Sequence, residues 1–222
     1  MNYTKTLTAV TLLLCSATAN ATLMMEISDG TNTTTISDNG IGDSASIDGA
    51  IVFIGSVGEW FFNVSTGSAL ASTEYVDSLD INTNNTSFIA TGGTGTLTIK
   101  LTDTGYTHTH GNFISSVGGT TDGTVNFETW IGTSAFEEST LLYSSGDLQG
   151  DPLAFSATGS GSINTIDPYS MTLVATIEHT AGVNETTFDF STRIPEPTSI
   201  ALLGLGLLGL GFASRRKSTA TA

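Results

Sequence analysis

Leu97, Ile99 and Leu101 alternate with Thr96, Thr98, Lys100 and Thr102. Successive side chains of an extended strand point to opposite faces, so this pattern is a strand with one dry and one wet face. Met171, Leu173, Ala175 and Ile177 repeat it against Thr172, Thr176 and Glu178. Val125 and Phe127 alternate with Asn126 and Glu128, and Phe188 and Phe190 flank Asp189. Ala50 to Gly55 and Trp60 to Val64 read as more fully buried strands. Asp29-Gly30, Asn39-Gly40, Asp48-Gly49 and Asp122-Gly123 supply turns in which glycine takes positive φ. Between the two ends of the chain nothing shows helical periodicity, and strand signals recur about every 8–12 residues. The expected fold is all-β, a jelly-roll-like β-sandwich.

The N-terminus reads as an address. Lys5 precedes an apolar stretch from Leu7 to Leu14, and Ala19-Asn20-Ala21 offers small residues for cleavage. Residues 1–21 therefore read as a secretory signal peptide, with Ala19 and Ala21 at the cleavage positions. Cys15 would suit a lipoprotein signal, but a lipobox wants a small residue where Leu14 stands. Cleavage after Ala21 removes the chain's one cysteine, which excludes disulfides and thiol chemistry from the mature domain. Phe53, Trp60, Phe62, Phe88, Phe113, Phe127, Trp130, Phe155, Phe188 and Phe190 must then supply the core, each buried ring contributing a few kcal/mol.

The expected extracytoplasmic domain, residues 22–193, sets 20 acids against Lys100 and Arg193, a formal charge of −18. Nucleic-acid binding needs a Lys/Arg footprint that is missing here, and an anionic membrane surface would be repelled. Such charge keeps an exported domain soluble. No cofactor is expected; the alternative use of such charge is cation binding, chiefly of calcium, which carboxylates and loop carbonyls can hold.

At the other end, Pro195-Glu196-Pro197 is followed by a glycine-punctuated apolar run from Ile200 to Ala213, then by Arg215-Arg216-Lys217. Prolines lack the amide a helix interior needs, so a helix can start only after Pro197. A transmembrane helix over 198–214 would be about 25 Å long at 1.5 Å per residue. The basic cluster favours the cytoplasmic side and leaves 218–222 as a short cytoplasmic tail. Gly204, Gly206 and Gly209 also spell G-x-G-x-x-G, but the chain ends before a βαβ unit could surround it.

This tail, residues 194–217, resembles the PEP-CTERM sorting domain of Gram-negative bacteria, in which a Pro-Glu-Pro tripeptide precedes a short transmembrane helix and a basic cluster. The resemblance implies recognition by an exosortase, a membrane-embedded cysteine protease, with Pro195, Glu196 and Pro197 as the recognition element. Arg215, Arg216 and Lys217 would be the stop. It also implies export to the cell surface, anchoring by the helix until processing, and co-occurrence with exopolysaccharide and biofilm production. Ser191 to Pro197 would be a short extended linker.

Within the domain, candidate chemistry is sparse. His108 and His110 are two apart, the spacing that puts both imidazoles on one strand face; with His179 they could chelate a metal. The pair resembles part of a cupin motif, but the glutamate of that motif is missing, which favours reading it as exposed polar residues on a Thr-rich strand or hairpin. Glu59 beside Trp60, and Glu128 near Trp130, would suit a sugar site in which an aromatic ring stacks beneath a carboxylate. Trp60 and Trp130 are thus the candidate ligand-binding residues, each also readable as core. Asp38-Asn39-Gly40, Asp43 and Asp48 gather acids in one loop, without EF-hand spacing. Phe53 to Gly58 and Phe113 to Gly118 match at five of six positions, too short for a true repeat.

These features point first to an exported, non-enzymatic surface or matrix protein associated with exopolysaccharide or neighbouring proteins. A carbohydrate-binding or calcium-dependent adhesive module is the alternative. A secreted polysaccharide hydrolase rests on generic acids alone, because no catalytic motif is present.

Overall fold

The computed structural model describes residues 22–70, 76–149 and 153–195. The leader with Ala19 and Ala21 lies outside them, as do Glu196, Pro197, the 198–214 segment, Arg215, Arg216 and Lys217. The described residues contain strands and no helix.

Two strands dominate. β5 (Val76–Tyr106) and β11 (Tyr169–Pro195) run antiparallel, from Tyr169 opposite Tyr106 to Pro195 opposite Val76. The expectation of uniformly short strands fails here, for a physical reason. Asn84-Asn85 and Gly92-Gly93 in β5 do not turn the chain back. The β5–β11 register instead slips between Thr180 and Gly182 and again between Thr186 and Phe188. Such bulges bend a ribbon and increase its twist without ending it. The ribbon therefore serves two layers.

In the first layer, β1 (Met24–Ser28) and β2 (Thr33–Ser37) flank the C-terminal half of β5. The N-terminal half of β11 pairs with β7 (Thr124–Gly132), which carries β8 (Thr140–Ser144) and β9 (Leu148–Gln149). In the second layer, β3 (Ala50–Val57) and β4 (Trp60–Leu70) flank the N-terminal half of β5. The C-terminal half of β11 pairs with β6 (His110–Thr121), and β6 with β10 (Ala154–Asn164). The arrangement is sandwich-like.

The core is what alternation dictates. Met25, Leu101, Leu173 and Thr129 stand in one register row, Ile27, Ile99, Ala175 and Phe127 in the next, and all are buried. From the other layer come Ile51, Ile81, Phe190 and Val117. Phe127 links them, its ring centroid 4.8 Å from Phe188 and 5.3 Å from Phe190. Two expectations are corrected. β3 is not buried on both faces, since Ile54 is exposed, and in β4 Phe61 is exposed between buried Trp60 and Phe62. Ser191 to Pro195 is extended as expected but is no free linker: it completes β11, and Ile194 is 1% exposed. The matching segments at Phe53 and Phe113 share an in–out pattern, with the phenylalanine and valine buried and the isoleucine exposed. That shared demand explains their likeness.

Gly119 faces inward where β6 meets β11, and a Cβ there would fall 2.1 Å from the Thr187 carbonyl oxygen and 2.9 Å from the Phe155 ring. Gly119→Ala should therefore destabilise the domain by roughly 1–3 kcal/mol. An unchanged melting curve would contradict this packing.

Candidate functional site

Glu128 and Trp130 are two apart on β7, so both point away from the core while Phe127, Thr129 and Ile131 point into it. Trp130 is half-buried, and its indole Nε1–H donates to Glu128 Oε2 at 2.9 Å. This bond fixes the orientation of a ring that would otherwise swing, and the indole body stays on the wet face of the first layer. Glu128 stands opposite Val174 of β11, which stands opposite Lys100 of β5. Lys100 Nζ is 2.6 Å from Glu138 Oε1. At 26% and 34% side-chain exposure this ion pair contributes little stability, but it sets a cation and an acceptor on the same sheet face as the tryptophan, two strands away. Beyond Trp130 the face is partly covered, because the Phe136 amide donates to Thr102 Oγ1 and Ser170 Oγ donates to the Ser134 carbonyl. A planar apolar ring with hydrogen-bonding groups around it suits a sugar ring, which has apolar C–H faces and a polar rim.

Trp60 has a different fate. It is 1% exposed, with Phe88 and His179 at ring-centroid distances of 4.7 and 5.3 Å. Strand alternation turns it inward and gives the exposed place to Phe61. Trp60 still borders a cavity of about 340 Å³, lined by Asp29, Thr31, Glu59, Phe88, Thr94, Gly95 and Thr96. Trp60 and Phe88 are both buried, so the polar lining of this cleft comes chiefly from hydroxyls and carboxylates. Asp29 accepts from the amides of Asn32 and Thr31 and from Asn32 Nδ2. Those bonds, the Asn32 amide foremost, hold its carboxyl below the usual range.

The three histidines are not brought together. His179 pairs with Gly95 and lies far along the ribbon from Tyr106, where β5 ends; its Nε2 meets Thr186 Oγ1 at 2.9 Å. Burial pushes its pKa down. His108 lies in the β5–β6 connection and His110 opens β6, so the shared strand face expected from their spacing does not form. In the Asp38–Asp48 loop the carboxylates are already occupied. Asp43 accepts from the amides of Ala45, Val52 and Asn39, and Asp38 from Gly49. Burial alone would raise the Asp43 carboxyl, but these amide bonds hold it below its ordinary value. The loop is tied by its acids.

Two carboxylate sites escaped the sequence reading. Asp77 and Asp103, 1% and 2% exposed, face inward from the two layers at one end of the sandwich. His108 Nδ1 lies 3.0 Å from Asp77 Oδ2, and the Tyr169 hydroxyl donates to the same oxygen at 3.3 Å. Burial raises the Asp103 carboxyl to about 6, against the opposing hydrogen bond from the Thr104 amide. Extending the alternation Leu97, Ile99, Leu101 by one step would have placed Asp103 inside.

On the outer face of the second layer, Asp80 and Asp189 come within hydrogen-bonding reach across β5 and β11. Burial first, then the Asp189 charge, raises Asp80 to about 7. Residues that are distant in sequence meet only through the register, so nothing local announced them. The folded chain holds this proton more tightly than the unfolded chain. The stability so contributed is complete below about pH 4, the ordinary Asp range, and is lost as pH rises through about 7. Asp80→Asn should raise the melting temperature at pH 8 and leave it almost unchanged at pH 4. Equal shifts at both pH values would refute the coupling.

Residues 193–217 match the family model of the PEP-CTERM protein-sorting motif. The match confirms the resemblance of the tail to this sorting motif, and the motif marks an exported, cell-surface-directed protein. No curated protein matches the chain. Among solved structures, TmCBM61 in complex with β-1,4-galactotriose is similar at 8% identity over 59% of this chain and 88% of that one, with a TM-score of 0.35. A structure described as "CBM4 structure and function" is similar at 11% identity over 70% and 93%, with a TM-score of 0.31. At such scores neither likeness bears on what this chain binds.

Proposed function

We propose that this chain is an exported, non-enzymatic surface or matrix protein, delivered by its C-terminal signal and working through contacts of its β-sandwich. The observation that carries the reading is continuity. Strand β11 stays in the sheet until Pro195, the first residue of the tripeptide, with Ile194 still in the core. The described domain is thus a payload attached to the sorting signal without a spacer. Exosortase is the expected processing partner, and the 198–214 helix is the expected anchor before processing.

Replacing Pro195-Glu196-Pro197 by alanines should make an unprocessed, membrane-bound form accumulate. Maturation at the wild-type rate would remove the sorting proposal.

A second reading, binding of exopolysaccharide, is favoured by the oriented Trp130. Its ring sits on an accessible face, and Glu128 holds it in place before any ligand arrives. Retention of the chain on its host's exopolysaccharide should weaken on Trp130→Ala by roughly 2- to 10-fold, the equivalent of 0.5–1.5 kcal/mol of aromatic contact. Retention unaffected by this change would exclude the Trp130 face. The same experiment with a chelator tests calcium: Asp38 and Asp43 are engaged by backbone amides and Asp48 by the Asn39 side-chain amide, so retention should persist.

A further inference from the structure

Every open sheet has edges, and an exposed edge is a row of unpaired amides and carbonyls ready to pair with another strand. Three edges of this sandwich are short or guarded. β2 and β8 have five residues each and β9 has two. β3 is covered by the acidic loop, since Val52 donates its amide to Asp43 Oδ1 at 2.9 Å and its carbonyl accepts from the Ser44 amide at 2.8 Å. β10 differs. It spans 11 residues, Ala154–Asn164, and pairs with β6 along its whole length. Among the described residues no group is hydrogen-bonded to its other edge.

Which groups stand on that edge follows from the register. The Thr121 amide donates to the Leu153 carbonyl at 2.8 Å, and the Thr165 amide to the Thr109 carbonyl at 2.9 Å. Both bonds lie in step with the β10–β6 register, which pairs Ala154 with Thr120 and Asn164 with His110. In an antiparallel ladder residues alternate between bonding the partner and facing away, so the odd-numbered residues bond β6. Ser156, Thr158, Ser160 and Ser162 then present amides and carbonyls outward, and their side chains are exposed.

Charge identifies the partner. Natural edges are usually defended with charged residues or proline. This domain carries −18, yet no charged residue stands between Asp151 and Asp167, and β6 has no acid. Acids that would drive two copies apart are absent from this margin, as they are from the shorter or covered edge strands β2, β3, β8 and β9, so β10 is the long uncovered edge without that defence. Antiparallel self-pairing is closed by a two-fold axis. Centred on Gly159, it would set Thr158 opposite Ser160 and Ser156 opposite Ser162, hydroxyl pairs that favour cross-strand contact.

We propose that the β10 edge is the docking surface for the β10 edge of a second copy of this chain, joining two sandwiches through one continuous sheet. The closed two-fold pairing limits assembly by this edge to dimers.

The test uses the full chain in mild detergent, with its mass followed by light scattering over a concentration series. Wild type should pass from monomer to dimer with concentration. Ser160→Pro removes an outward amide and no bond to β6, so it should stay monomeric with an unchanged melting curve. Ser160→Lys, which leaves the backbone intact, should also abolish the dimer by setting like charges across the axis. A wild-type chain that is monomeric throughout would overturn the proposal. So would dimers of both variants as strong as those of wild type.

Discussion

The antiparallel ladder between β5 and β11 is the constraint on which the rest of the structure depends. Every other strand hangs directly or indirectly on one of its flanks. Because the ribbon bends through its bulges and does not stop, one pair of strands supplies the middle of both layers, and the two inner faces close over a shared aromatic core. No disulfide is needed where burial of Phe127, Phe188, Phe190 and their neighbours crosses between the layers. The same ladder decides where function can sit. It places Lys100 and Val174 on the same sheet face as Trp130, brings Asp80 against Asp189, and carries the sheet to Pro195.

Much of this was legible in local pattern. The period-two runs at Leu97–Leu101, Val125–Phe127, Met171–Ile177 and Phe188–Phe190 all became strands with the expected face inward. The tail could be read because its three parts follow in order within a few residues. What local pattern could not give was continuity and pairing. A glycine or asparagine pair is the same signal whether it turns a chain back or lets a long strand bend, and only the partner strand decides. For the same reason Trp60 and Trp130 looked alike beside their glutamates. One faces the core and the other solvent, which is a matter of strand parity set by the sheet. Asp77 is buried because its position two before Leu79 and four before Ile81 shares their inward parity, a pattern that composition alone does not announce.

The acidic composition also has a spatial logic that totals conceal. Carboxylates tie the Asp38–Asp48 loop over β3, orient Trp130, and stand as a strained pair on the outer second layer. They are absent from the β6–β10 margin. One sheet edge is thereby guarded and the other left bare. The unfavourable carboxyl pair at Asp80 and Asp189 is tolerated on a face where water still reaches one side.

The chain has two tryptophans, one half-buried on the solvent-facing side of the sheet and one in the core, so contact of the β-sandwich with polysaccharide is directly measurable. In a titration with the host's exopolysaccharide followed by NMR, the Trp130 indole N–H signal should move in a saturable way. That of buried Trp60 should stay in place as an internal reference. Movement of the Trp60 signal alone, or of neither, would contradict a role for the Trp130 face in polysaccharide contact.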